Sequence, residues 1–330
     1  MATVKVKFRP SLVQGRRGRA HYHLAPAHNN ASPQSILLLD FFRTQIEQLL
    51  ALNRIGTAQN YAKTLQSFSR FLDGEPLAVA ELTEQVVCRY NTYLVQRGLV
   101  RNSISFYMRV LRAVYNRAVR EHLAPQTNPF AQVYTGIDCT RKRAVKQTTI
   151  AALNNLPLAE DSPLAFARDI FIFSYCTRGM AFVDIAYLRR SDLRGGVISY
   201  TRRKTGQLLT IRIEPAIQRI VDRYRTARSP YIFPIISSLD ARTAYQQYKT
   251  ALYAYNRQLQ RLSQMVECEC RLTSYTSRHS WATAARDHNV PLSVISAGMG
   301  HTSERTTQIY LASLENRVVD NANRDIIGML

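Results

Sequence analysis

The sequence predicts a mainly α-helical chain of two domains, the second of which carries a small β-hairpin. Three observations lead there. Between Ser35 and His122, apolar residues recur at steps of three and four, the period of an amphipathic helix. Pro125, Asn128 and Pro129 interrupt that run, and a basic segment from Asp138 to Lys146 follows it. From about Thr148, helical patterns resume around two short alternating segments that flank Lys204-Thr205-Gly206-Gln207, a turn with its glycine. A chain of 330 residues is long enough for two domains with separate cores.

Taken in order, residues 1–30 hold a candidate strand, Val4 to Arg9, in which apolar and basic residues alternate. A cluster at Arg16, Arg17 and Arg19 follows, so this segment reads as a basic arm or small strand module. Residues 31–135 form the helical domain. Thr57 can cap a helix with Tyr61, Leu65, Phe68 and Leu72 on one stripe. Thr83 can cap the next, with Val87, Tyr90 and Leu94 inward and Gly98 as its stop. Ser103 opens a third, whose buried stripe is Ile104, Tyr107, Leu111, Val114 and Ala118. Arg109, Arg112, Arg117 and Arg120 fall outside that stripe and make a basic face suited to phosphate contact, with Arg109 and Arg112 as candidate DNA-binding residues.

Residues 136–147 read as an interdomain linker whose Arg141, Lys142 and Arg143 suit contact with a phosphate backbone. Residues 148–330 make the second domain and its tail. Leu164 to Tyr175 is a strongly apolar helix, and Arg178 breaks the apolar neighbourhood just after it; a buried arginine needs a partner. Val197 to Arg202 and Leu208 to Ile213 read as strands. Helical patterns return over Ala216 to Arg225 and Ser238 to Leu262.

Lys plus Arg number 44 against 23 acids, a formal charge of +21, which points to a polyanionic partner, most often nucleic acid. No run of about 18 apolar residues is present, so no membrane span or membrane partner is expected. The first residues lack an apolar signal core, and a cytoplasmic, nucleoid-associated protein is expected. Five scattered cysteines argue against a disulfide framework. Cys268 and Cys270 form a lone C-x-C without further ligands nearby, so no metal is expected there.

The chemistry concentrates between Arg271 and Ala312. Arg278, the pair Gly300-His301, and Tyr310 nine residues after His301 stand there in a fixed order. A tyrosine hydroxyl, with an ordinary pKa of about 10, is a poor nucleophile unless its target is an electrophile held by cations. A phosphodiester gripped by arginine is such a target, because the guanidinium fork matches phosphate oxygens two at a time.

This stretch resembles the carboxy-terminal signature of the tyrosine recombinases, the phage integrase family, of the bacterial mobile-element type. That family carries H-x-x-R, then G-H some twenty residues on, then a nucleophilic tyrosine nine residues later. One position departs from the pattern: Tyr275 stands where the family usually has its first histidine. The turn after the apolar helix resembles the one that carries the family's first catalytic arginine, here Arg178. Asp184 is then the acid that follows, three residues later than in R-x-x-E. Arg202-Arg203-Lys204-Thr205 matches the R-x-K-T hairpin that bears the catalytic lysine, which favours Lys204 over its local competitor Arg203 as the candidate; Arg202 and Arg203 are otherwise expected as DNA contacts.

The resemblance covers the chain from about residue 35. It implies a helical core-binding domain and a mixed α/β catalytic domain that together clamp double-stranded DNA. It further implies cleavage and rejoining of strands through a 3′-phosphotyrosyl intermediate, for integration, excision or inversion, without metal or ATP. A homo-tetramer on two DNA sites, with accessory DNA-bending or excision factors, is implied as the working assembly. Two other classes stay open on the residues alone: a type IB topoisomerase-like relaxing enzyme, and a catalytically impaired DNA-binding relative.

Overall fold

The structure, a computed structural model, describes residues 36–138, 144–225 and 229–301, together with positions 303, 307, 308, 324 and 327. The candidate amino-terminal strand and arginine cluster, Arg141, Lys142, Arg143, Tyr310 and nearly all of the tail lie outside the described residues.

Four helices form the first body: α1 (Leu38–Ala51), α2 (Ile55–Leu72), α3 (Glu84–Gln96) and α4 (Arg101–Arg120). α3 follows local sequence chemistry closely. The Thr83 hydroxyl accepts the Val86 amide at 3.4 Å, Val87, Tyr90 and Leu94 are buried, and Gly98 turns the chain with φ +73. The other helices differ in detail. α2 starts at Ile55 without a side-chain cap, ahead of Thr57, and α4 starts at Arg101, ahead of Ser103. On α4 Ile104, Leu111, Val114 and Ala118 are buried as expected, joined by Met108 and Tyr115, while Tyr107 is only partly buried. Phe68 and Tyr90 meet edge to face at 4.8 Å in the core between these helices.

The second body is built around α6 (Pro163–Cys176), which follows α5 (Gln147–Asn155). Ser162 accepts the Ala165 amide at 3.1 Å and Pro163 stands in the first turn, the expected start for a helix that then buries residues nearly all round. α7 (Phe182–Ala186) leads to a three-stranded antiparallel sheet of order β1 (Leu193–Arg194), β2 (Val197–Thr201) and β3 (Leu208–Arg212). Strand β1 was not expected; two residues are too few for an alternation to register. Ile198 pairs with Ile211 and Tyr200 with Leu209, and this face is buried while Ser199 and Thr210 point outward. Helices α8 (Pro215–Tyr224), α9 (Ala241–Met265), α10 (Thr276–Asp287) and α11 (Leu292–Met299) follow. Asp240 caps α9, accepting the Thr243 amide at 2.8 Å. Phe173 on α6 and Phe233 pack edge to face at 4.9 Å in the larger core. No helix among the described residues is long and apolar enough to cross a membrane.

Candidate active site

The turn after α6 is fastened before it presents anything. The Thr177 hydroxyl donates to Phe173 O at 2.7 Å, the Gly179 amide to Ser174 O at 2.8 Å, and the Ser174 hydroxyl to Met180 O at 2.7 Å. Ser174 has only one hydroxyl proton, so Ser277 on α10, 2.7 Å away, is the donor in that pair. The turn and α10 are thereby locked together, with Arg178 and Arg278 near the lock.

Arg278 is 3% exposed. Its guanidinium donates to Gly179 O at 2.7 Å and to Met299 O at 2.6 Å, and its NH2 lies 3.2 Å from His301 Nε2. Gly179, with φ +73, lies so near that a Cβ there would stand 2.7 Å from both Cα and Cγ of Arg278. Since backbone cannot yield, Gly179→Ala is expected to destabilise the domain by about 1–3 kcal/mol through strain and overpacking, read as a lower Tm. The neighbouring Arg178 is half-buried and itself left-handed, φ 58, with NH1 3.5 Å from Thr210 O on β3.

His301 follows Gly300, which caps α11 in the left-handed region with φ +63. A guanidinium can only donate, so Nε2 accepts from Arg278 and Nδ1 carries the proton, donated to the buried Thr307 hydroxyl at 2.8 Å. Burial first, then the charges of Arg278, Arg202 and Lys204, press the imidazole down to about 4. It is therefore neutral near pH 7. Lys204 stands exposed on the turn after β2, near enough to be felt at His301. Tyr275, 54% exposed, is the residue before α10, with its ring centroid 6.5 Å from that of His279.

Arg202 departs from the expectation of a DNA-facing cation. It is 6% exposed; NH1 donates to Gly300 O at 2.5 Å and Nε lies 3.9 Å from Asp184 Oδ2. The physical reason is the strand period: Ile198, Tyr200 and Arg202 share the inward face. That alternation was visible in the sequence, where the charge argued for exposure. Asp184, 4% exposed, accepts the Arg203 amide at 2.9 Å. Burial raises its carboxyl, opposed by that amide and by the charges of Arg202, Arg278 and Arg203. The Arg203 side chain stays exposed and lies over the Tyr187 ring at 3.7 Å.

Arg178, Arg278, His301, Lys204, Arg202 and Asp184 thus share one region of the second body. Arg109 and Arg112 belong to α4 in the first body, half-buried, with Arg112 donating to the Thr135 hydroxyl at 2.8 Å and Arg109 Nε 3.4 Å from Ser105 O. Thr307 had no distinguishing signal, being one of three threonines between His301 and Gln308.

Fold and site together define a class: a two-body, mainly helical protein with arginines and an imidazole gathered beside a hairpin lysine, suited to holding an anion such as a phosphodiester. Residues 37–134 match the phage integrase SAM-like domain, and residues 156–317 match the phage integrase family. The chain belongs to that family, the tyrosine recombinases. It is similar to tyrosine recombinase XerD of Pseudomonas aeruginosa, 22% identical over 268 residues, covering 80% of this chain and 89% of the relative. XerD of Shewanella oneidensis is 23% identical over 258 residues, covering 77% and 85%. The fold is similar to a lambda integrase fragment bound as a dimer to a COC′ core site, with TM-score 0.59 at 14% identity, covering 83% of this chain and 95% of that one. It is also similar to the Tn1549 transposon integrase with transposon right end DNA, with TM-score 0.61 at 12% identity, covering 89% and 100%.

Proposed function

We propose that this chain is a site-specific DNA recombinase that cleaves and rejoins strands through a 3′-phosphotyrosyl intermediate on Tyr310. The observation that carries the reading is the buried Arg278, bonded to His301 and locked beside Arg178, within a family of tyrosine recombinases. Arg178 and Arg278 grip the non-bridging oxygens of the scissile phosphate. The Tyr310 oxygen bonds to phosphorus as the bond to the 5′-oxygen breaks; the tyrosine proton leaves to water, and Lys204 supplies the proton that the 5′-oxygen needs. The new covalent bond conserves the energy of the old one, so rejoining needs no ATP, and protein cations take the place of a metal.

His301 enters neutral, with Nε2 already accepting from Arg278. To donate to phosphate through Nε2 it must gain a proton while Nδ1–H keeps Thr307, and an anion beside it favours that gain. Tyr275, exposed at the edge of the site, serves as a single hydrogen-bond donor to phosphate and not as a base. Tyr275→Phe is expected to slow cleavage by about 10- to 100-fold, the worth of one hydrogen bond to a charged group, in single-turnover cleavage assays. A loss equal to that of Arg278→Ala would overturn this role.

Arg109, Arg112, Arg203 and the linker's Arg141, Lys142 and Arg143 contact the DNA backbone, and Asp184 supports the site from beneath. The working assembly is a homo-tetramer on two duplexes, served by accessory factors that bend DNA or direct excision. Solved relatives support the assembly: lambda integrase has been seen as a dimer on a core site and as a tetramer on a Holliday junction.

The test is covalent trapping. Wild-type protein is incubated with nicked duplexes from its genomic locus, in EDTA and without ATP, and run on a denaturing gel. A protein–DNA adduct through the 3′-phosphate is expected. No adduct on DNA shown to be bound would overturn the reading, and an adduct that needs added metal would overturn its metal independence.

A further inference from the structure

Arg202 is a buried cation that the mechanism above leaves without a role. Its NH1 donates to Gly300 O at 2.5 Å. Its Nε has no hydrogen-bond partner among the described residues and stands 3.9 Å from Asp184 Oδ2. Burying a guanidinium on so few contacts costs stability, and apolar residues often replace such pairs without loss. Its location suggests what the charge is kept for.

Two consecutive carbonyls of one turn are held by two different arginines, Met299 O by Arg278 at 2.6 Å and Gly300 O by Arg202. The next residue is His301. Arg202 also closes the turn that bears Lys204: its carbonyl accepts the Gly206 amide and its amide donates to Gln207 O, each at 2.8 Å. Asp184, which faces the Arg202 side chain, accepts the amide of Arg203 between Arg202 and Lys204. Gly300 admits this approach because it lacks a Cβ, which would stand 3.0 Å from Arg202 Cδ. The guanidinium therefore ties the lysine turn to the histidine turn.

We propose that Arg202 is a positioning residue that holds the Lys204 turn in register with His301 and does not grip DNA. The proposal rests on the reading of Lys204 as the acid and Tyr310 as the nucleophile. Three variants test it: Arg202→Lys, Arg202→Met, and Arg202→Met combined with Asp184→Asn, which removes both buried charges should the single change fail to fold. Each is compared with wild type for DNA affinity across a salt series and for cleavage of a nicked duplex. Cleavage is also measured on the same duplex with sulfur in place of the 5′-bridging oxygen. A thiolate leaves without help from an acid, so misplacement of Lys204 matters only on the oxygen substrate.

Both Met variants are expected to cleave the oxygen substrate about 10²-fold more slowly, the scale of a 1 Å misplacement, and to return within about fivefold of wild type on the sulfur substrate. Arg202→Lys, which keeps a donor for Gly300 O, is expected to lose less. DNA affinity within about twofold of wild type and an unchanged salt slope are expected throughout. A salt slope lower by about 0.9 would make Arg202 a phosphate contact and overturn the proposal. Equal losses on both substrates, or unchanged cleavage on oxygen, would overturn it as well. Failure of wild-type protein to form an adduct on either bound substrate is a separate result, which would overturn the reading of the site and this proposal with it.

Discussion

Arg278→Ala is expected to reduce strand cleavage by about 10³-fold or more, the range seen when an arginine stabilising phosphoryl charge is lost. The expectation stands on what the side chain holds as well as on its charge. Gly179 O, Met299 O and His301 Nε2 each lose a partner, and they belong to the three segments that frame the site. Two buried carbonyls without donors cost about 1–3 kcal/mol each, so the variant should also melt at lower temperature. Arg278→Lys separates the contributions. It restores the charge, but an ammonium is a point donor that cannot reach three acceptors in a plane. It should recover part of the Tm and little of the cleavage, measured by thermal melting beside covalent trapping. Full recovery of cleavage by lysine would show that charge alone suffices and that the fork geometry is dispensable.

Tyr310→Phe is expected to remove the covalent adduct altogether while DNA affinity stays within about twofold, because one hydroxyl is lost and no cation is. A gel-shift titration and a denaturing gel on the same samples give the two readouts. The contrast with Arg278→Ala is diagnostic, since Tyr310→Phe should leave Tm near wild type. An adduct that survives in Tyr310→Phe would move the nucleophile to another side chain.

Local features of the fold were legible where one residue decides the outcome. Thr83 starts a helix because a hydroxyl can accept an amide within one turn, and Gly98 ends it because a glycine takes positive φ at no cost. Arg278 and His301 were singled out by their order and spacing, and Arg178 and Lys204 by the family resemblance; the structure brings the four into one region. Strand β1 and the true start of α2 were not, because two paired residues and an uncapped helix end leave no local mark. Arg202 was misplaced because two rules conflict there: charge favours solvent, strand period favours the interior, and the decision falls to Asp184 and Gly300, distant in sequence. Thr307 is partner to His301, and no sequence pattern announces it.

The left-handed backbone of Arg178 has a consequence for how such a protein can be improved. A residue with a Cβ held at φ 58 sits about 1–2 kcal/mol above a relaxed conformation, and here it does so near the buried Arg278 and Arg202. The site is thus kept at the expense of the fold. Selection for heat resistance alone would be drawn to position 178, where glycine relieves the backbone and thins the positive charge, and the gain would come out of strand cleavage. Screens for hardier variants of this chain therefore need an activity gate at every round.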